Sequence, residues 1–422
     1  MKIVEDSPSA LTALDRPNSY IGRSVPRPNL ARLTQGRAQF VSDVTLPRMA
    51  HVAFVRSPHA HAQIKKIVST AAKKAPGVVA IVTGPELAKV MSPWIGVLTH
   101  LKGIKSAPQY PLAMERARWQ GEAIVAVVAR TRAEAEDACE LVEIEYQELA
   151  PVTDPETALD AKTPIIHPEL GDNLCFERVH TTGDPDQGFK DADAVIESTF
   201  VFGRHTGVCN EPRAIVADWN PGEQRLTAYH GTQAPHMMQN LFAKHLGLQE
   251  HQVRVVTKDV GGSFGIKVHT YADEMATVAL SVLLKRPIKF VADRIESFVT
   301  DIHARDHRVK AKLGVRKDGT FTAWEIDDLT GIGPYSVYPR TSGIEANQVV
   351  NLTGGPYTCP NYRARARVVF QNKNVMCQYR AVGHPIATQV TEGLVDLAAA
   401  KIGMDPLELR RDRKSTRLNS SH

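Results

Sequence analysis

Cysteine is scarce in this chain, with five among 422 residues. Cys139, Cys175, Cys209, Cys359 and Cys377 are far apart and odd in number, and no Cys-x-x-Cys pair occurs. That excludes a disulfide framework and argues against a zinc ribbon or an iron–sulfur cluster held by this chain. A reducing cytoplasm is the expected compartment. No run of about 18 apolar residues occurs, so nothing in the sequence is expected to span a membrane. The opening Met1-Lys2-Ile3-Val4-Glu5-Asp6 is too charged for a secretory signal. Neither sign of charge dominates: the formal net charge is +5, and the last eleven residues supply three bases against one acid. Those residues, 412–422, break off abruptly from a helical pattern and read as an adapter-derived, non-native tail. The mild basicity therefore carries no message about nucleic acid. What remains is ordinary: 43% hydrophobic and 23% charged residues fit a globular protein and exclude disorder, collagen and coiled coil.

The chain length predicts two or three domains. Residues 1–19 read as a loose polar lead-in. From 20 to 150, short apolar runs at 50–55 and 78–82 and a seven-residue run at 123–129 read as strands, the last buried on both faces. Thr131 is placed to cap a helix reaching about Leu141, with Glu134 at the capping-box position. A strand follows from 142 to 146. Residues 151–173 are proline-rich and suit a linker. A second α/β segment begins near Val195. Strands are expected at 214–219, 225–230 and 253–256, with a helix from 234 to 246 closed by Gly247. An apolar helix over 273–284 ends before Pro287. A strand at 288–292, a β-rich stretch to about 372 and a helix from 387 to 401 closed by Gly403 complete the pattern.

The least ordinary segment is Val260-Gly261-Gly262-Ser263-Phe264-Gly265-Ile266-Lys267. Its glycines let backbone N–H groups approach a ligand where a β-carbon would clash. It lacks the Gly-Lys-Ser/Thr of a P-loop and the G-x-G-x-x-G of a dinucleotide fold. It matches G-x-S-x-G in form, with Ser263 as the nucleophile of a serine hydrolase. That elbow requires a helix starting at the serine, whereas helical periodicity resumes only near Asp273. A plain glycine turn between strand and helix is the third reading.

Several segments together resemble one family, the molybdopterin-binding large subunits of xanthine dehydrogenases and aldehyde oxidases, including carbon monoxide dehydrogenase-like bacterial forms. They are Tyr20-Ile21-Gly22-Arg23-Ser24-Val25-Pro26-Arg27, Phe54-Val55-Arg56-Ser57-Pro58-His59-Ala60-His61 and Gly121-Glu122-Ala123-Ile124-Val125-Ala126. In the second half they are Glu211-Pro212-Arg213, Thr232-Gln233, the glycine loop 261–267, and Tyr379-Arg380 with Gly383 and Pro385. The resemblance implies an α/β (α+β) fold: an α/β hammerhead domain over 20–150, then the first molybdenum-cofactor-binding domain over 174–411. It implies an oxidoreductase that hydroxylates an aldehyde or N-heteroaromatic carbon with oxygen from water, a glutamate serving as base. The cofactor would be molybdopterin, expected in its molybdenum–molybdopterin cytosine dinucleotide form. [2Fe–2S] clusters and FAD would sit on a small and a medium partner subunit, in a dimer of heterotrimers.

By the same resemblance, Gln233 sits beside the molybdenum, where a neutral amide both donates and accepts without competing as a ligand. Gly262, Phe264 and Gly265 form the loop whose backbone amides face the metal centre. Arg380 and Ala381 belong to a metal-proximal turn that holds cofactor oxygens. No side chain is expected to ligate the metal directly. His59 and His61, read as alternating along a strand, serve as sequence markers only. Where carbon monoxide dehydrogenases carry a copper-bearing cysteine this chain has Ala381, and Cys377 lies on the wrong side of Tyr379 to replace it, so copper-assisted CO oxidation is not expected. Where purine oxidisers carry a substrate-binding glutamate stands Val268, which disfavours xanthine. The family's second cofactor domain, with its catalytic glutamate, is expected beyond residue 411; none of Glu211, Glu274 and Glu296 sits in the motif of that glutamate. The chain is thus expected to be a C-terminally truncated fragment, inactive by itself. A non-catalytic module that binds an iron–sulfur subunit is a further reading.

Overall fold

The computed structural model describes residue 20 and residues 24–411. The expected lead-in 1–19, the segment Ile21-Gly22-Arg23 and the tail 412–422 lie outside the described residues. The chain divides into two units at Gln39/Phe40. In the first, the helix Leu30–Thr34 is the element described. All that follows belongs to the second.

A seven-stranded sheet is ordered Val253–Val256, Arg225–His230, Ala214–Asn220, Ile288–Val291, Ala50–Arg56, Ala123–Ala129, Val78–Thr83. Its middle seam is parallel, pairing Ala50 with Ile288 and His51 with Lys289. One sheet thereby runs through strands from both sides of the proline-rich 151–173 segment. Every residue of Ala123–Ala129 is buried, as a strand covered on both faces requires. The helix Ala272–Leu284 buries Met275, Val278 and Ala279 in the same core as Ile215 and Ala217. Each large aliphatic side chain of this kind contributes roughly 1.5–3 kcal/mol on leaving water.

A five-stranded sheet is ordered Leu174–Thr182, Tyr362–Val369, Phe321–Gly331, His307–Val315, Ala194–Phe202. The helix His384–Ile402 packs Val390, Leu394 and Ala398 against its Val309 and Ala311. A small sheet of Arg116–Ala117, Ala62–Val68 and Glu143–Glu148 completes the count among the described residues.

Several local expectations agree with the structure. Thr131 caps Arg132–Cys139 in a capping box with Glu134. Gly247 and Gly403 close their helices in the left-handed region, at φ 68° and 71°. Others are corrected. The stretch from 292 to 372 is not uniformly β: helices Arg294–Thr300 and Ile344–Leu352 interrupt it. Buried Glu345 and Asn347 break the apolar stripe that would betray the second helix. The strand Leu174–Thr182 is also hidden in the sequence, because Glu177, an exposed acid in it, pairs with Arg365 on the neighbouring strand. His59 and His61 do not alternate along a strand. They lie in the turn between Ala50–Arg56 and Ala62–Val68, where the Ser57 hydroxyl accepts the His59 N–H at 3.1 Å.

Candidate cofactor-facing site

The glycine loop leaves the end of Val253–Val256 and turns through left-handed backbone. Gly262 has φ 104°, Phe264 φ 53° and Gly265 φ 97°. At Gly265 a β-carbon would come within 3.3 Å of the Tyr379 Cα and 3.5 Å of the Arg380 nitrogen, so only glycine lets the two segments lie together. The contact is bonded: the Arg380 N–H donates to the Phe264 carbonyl at 3.0 Å. Phe264 holds its left-handed conformation with a ring that is 47% exposed, so core packing does not explain it.

Gln233 ends the excursion after strand Arg225–His230. Its N–H donates to the Lys267 carbonyl at 3.0 Å, and the Thr232 hydroxyl donates to the same oxygen at 2.9 Å. The Gln233 Oε1 accepts the Gly265 N–H at 3.2 Å and the Ser263 hydroxyl. A carbonyl oxygen must face those donors, which leaves the Nε2 donor without a partner among the described residues, on an exposed side chain. Gln233, the 262–265 loop and the Arg380 turn therefore lie side by side.

The turn carries Ala381 at φ 63° and Gly383 at φ 72°. The Arg380 side chain is exposed and makes no ion pair among the described residues. Behind it, buried His269 donates from Nε2 to the Gln378 carbonyl at 2.8 Å. Burial pulls that imidazole down to about 4, so it stays neutral. Burial likewise pushes the Cys377 thiol up to about 12, leaving it inert. Val268 is buried.

Support from below comes from Glu211-Pro212-Arg213. The Glu211 carboxylate accepts the Gly261 N–H at 2.7 Å and pairs with Lys267 Nζ at 2.6 Å, spanning both ends of the loop. Arg213, on the opposite side of Pro212, is buried among Asp273, at 2.7 and 2.9 Å, and Asp301, at 2.6 Å, with Glu274 at 3.2 Å. The Tyr271 ring lies 3.8 Å beneath its guanidinium. Burial alone would raise the Asp273 carboxyl, but Arg213 and Arg56 outweigh it and hold it at about 2. Tyr271 then donates to the Ile266 carbonyl at 2.9 Å, linking this charged core to the back of the loop. Sequence reasoning missed the Glu211–Lys267 clamp; its only signal was opposite charge in two of the family-like motifs.

The serine-hydrolase reading is overturned. The Ser263 hydroxyl donates to Gln233 and accepts the Lys267 N–H at 3.3 Å, with no histidine among the described residues bonded to it. The next α-helix begins only at Ala272, so no elbow exposes the serine. Glu274 and Glu296 are occupied elsewhere, with Arg213 and His230, and with Arg56.

Residues 166–413 match the family model of the molybdopterin cofactor-binding domain. The chain belongs to the aldehyde oxidase and xanthine dehydrogenase family of molybdopterin-binding oxidoreductases. The family's a/b hammerhead domain matches residues 35–150. Among relatives of this family, the nicotine 6-hydroxylase large subunit of Paenarthrobacter nicotinovorans is 33% identical, over 94% of this chain and 50% of its own. The crystal structure of quinoline 2-oxidoreductase from Pseudomonas putida 86 superposes with TM-score 0.91 at 32% identity, covering 95% of this chain and 51% of that one. The chain thus spans about half the length of these family members. The nicotinate dehydrogenase large molybdopterin subunit of Eubacterium barkeri differs: at 29% identity the match covers 92% of this chain and 88% of that subunit. No helix among the described residues is long and apolar enough to cross a membrane. No cluster of three or more His, Cys, Asp or Glu able to hold a metal occurs among them.

Proposed function

We propose that this chain forms one wall of the cofactor site in a molybdenum hydroxylase that oxidises an aldehyde or N-heteroaromatic carbon. The observation that carries the reading is the single surface made by the Gln233 amide, the left-handed Phe264–Gly265 backbone and the Arg380 turn. These residues fit a pterin that brings its own metal ligands. They offer an amide donor and an exposed guanidinium suited to oxyanions, neither with a partner among the described residues, and bare backbone where a β-carbon would intrude. When bound, the cofactor supplies two-electron oxidation of carbon with oxygen drawn from water. The chain's own part is to donate from Gln233 Nε2, to present loop backbone that needs no reorganisation, and to hold anionic oxygens at Arg380 and Ala381.

Val268 and Ala381 in place of acid and cysteine favour an apolar ring or aldehyde over xanthine or CO. The nicotine- and quinoline-oxidising relatives support that choice. The domain limits 20–150 and 174–411, the cytosine dinucleotide form, a cytoplasmic setting, and [2Fe–2S] and FAD partner subunits in a dimer of heterotrimers belong to the same proposal. So does the placement of the base glutamate on a further cofactor domain. Residues 1–422 alone then retain little molybdenum and turn nothing over.

The experiment is co-expression of the chain with the uncovered half of the quinoline 2-oxidoreductase subunit and its partners, in a host that makes molybdopterin. Molybdenum and oxidised-pterin fluorescence are then measured on the purified assembly, with quinoline, nicotine, benzaldehyde, xanthine and CO as substrates. Metal and pterin that are retained together, and reduced in Gln233→Ala, support the reading. An assembly without either, brisk turnover of xanthine or CO, or stoichiometric molybdenum on 1–422 alone each overturns the corresponding part.

A further inference from the structure

Beneath the Arg380 turn lies a set of four charged side chains that belongs to none of the family-like motifs. Arg305 and Glu345 are 6% and 0% exposed, and His307 and Asp328 are both fully buried. His307 Nδ1 lies 2.8 Å from Asp328, its Nε2 3.7 Å from Glu345, and Arg305 Nε lies 3.3 Å from the same carboxylate. Burial opposes a charged imidazole, but Asp328 and Glu345 outweigh it and raise His307 to about 10. The four therefore alternate in sign along the row Arg305, Glu345, His307, Asp328. Burying such groups carries a large desolvation penalty, and fixing a particular conformation is one recognised use of them.

Two of the bonds that leave this cluster end on the turn, while others reach the Thr330 hydroxyl and His205. Arg305 Nη2 donates to the Arg380 carbonyl at 2.6 Å. The Glu345 Oε1 accepts the Gly383 N–H at 3.2 Å. Between these two anchors stands Ala381, a non-glycine residue at φ 63°, a conformation that persists only where its surroundings over-determine it. At Gly383 a β-carbon would lie 2.7 Å from the Gln348 Cβ and 3.0 Å from the Glu345 carbonyl, so the turn is seated directly on helix Ile344–Leu352. On its other side the turn is tied to the glycine loop through the Arg380 N–H.

We propose that Arg305 and Glu345 are positioning residues that lock the Arg380–Gly383 turn from beneath, setting the exposed guanidinium and the turn's amides against the glycine loop. The proposal rests on the reading of that turn as cofactor-facing. Neither residue touches the cofactor; each acts through backbone.

Hydrogen exchange of the full 422-residue chain tests it, comparing peptides over 378–384 with control peptides over 272–284. The variants are Glu345→Gln and the double Arg305→Met/Glu345→Met, which leaves His307 paired with Asp328 and strands no other charge. The expected result is exchange at least tenfold faster over 380–383 with the control unchanged, whereas wild-type exchange there in a folded double variant overturns the clamp. Should circular dichroism show the double variant unfolded, Arg305→Lys decides instead. Lysine keeps the charge but not the fork, so faster exchange confined to the turn supports the proposal and unchanged exchange refutes it. Molybdenum retention of the same variants in the co-expressed assembly separates the two claims. A loosened turn with lowered metal content supports both, whereas a loosened turn with undiminished metal leaves the clamp standing and refutes the cofactor-facing assignment.

Discussion

Two buried arginines serve this molecule in opposite ways. Arg213 is saturated by side chains: Asp273, Asp301, Glu274 and the Thr300 hydroxyl take its donors, and Tyr271 covers its face. It joins the start of helix Ala272–Leu284 to the segment after Arg294–Thr300, and so belongs to the core. Arg305 meets one carboxylate and directs another donor to a main-chain carbonyl of an exposed turn. The first network ends on fold-bearing elements alone, whereas the second, rooted on the strands of His307 and Asp328, also reaches a surface loop. Stability should follow the first, and local order at the site the second.

The sharpest way to break that contrast is Arg213→Met. Three carboxylates would then lose the cation they share, with Asp273 keeping only Arg56 and Glu274 only His230, and removing one partner of a buried pair typically costs ~3–5 kcal/mol. Guanidinium denaturation of the variant should show a loss of that size or outright failure to fold. A loss under about 1 kcal/mol, the scale of an exposed pair, would mean that Arg213 is no more structural than Arg305.

The second effect is read in pH. His307 is held at about 10 in the folded chain, above its ordinary 6.5, by Asp328 and Glu345 against the opposing effect of burial. A group raised on folding stabilises fully below its unfolded pKa, and that contribution fades as pH climbs through the folded one. Between pH 7 and 10 the wild-type chain should therefore lose a few kcal/mol, at most ~1.4 kcal/mol for each step of one in pH. Buried thiols such as Cys175, pushed up to about 12, add to the same alkaline loss. The difference between wild type and His307→Gln isolates the imidazole: the variant starts lower at pH 7 and falls less steeply. Parallel curves would remove His307 from the network.

What could be read from the sequence was local. The Thr131–Glu134 capping box, the helix closed by Gly247 and the all-apolar 123–129 strand depend on neighbours in the chain. Gln233, Phe264 and Arg380 stood out through the resemblance of their segments to the family, and the fold set them side by side. The Arg305–Glu345 clamp was invisible for a physical reason. A buried ionic pair between remote segments leaves no periodicity, and its glutamate disguises the helix that carries it. The parallel seam between Ala50–Arg56 and Ile288–Val291 was hidden in the same way, since strand order is not written in alternation.

A smaller effect tests how closely loop and turn approach. Gly265→Ala places a β-carbon 3.3 Å from the Tyr379 Cα, in backbone at φ 97° that alanine rarely adopts. Strain of this kind costs on the order of 1–3 kcal/mol. Most of it should appear as faster exchange over 261–267 and 378–381 together, while the Arg213 core keeps its protection. If only one of the two segments loosens, the Phe264–Arg380 bond does not couple them.

The mildest substitution, Ser263→Ala, closes the comparison between fold and site. The hydroxyl gives one hydrogen bond to Gln233 and receives one from the Lys267 N–H. Each is worth roughly 1 kcal/mol net, and the loop is open enough for water to replace part of the loss. The denaturation midpoint should therefore hardly move, with exchange rising only at Lys267 and Gly265. A fluorophosphonate probe should label neither wild type nor variant, because no bonded histidine activates this oxygen. Labelling that vanished in Ser263→Ala would make the loop a nucleophile's seat and would count directly against its role as a neutral wall.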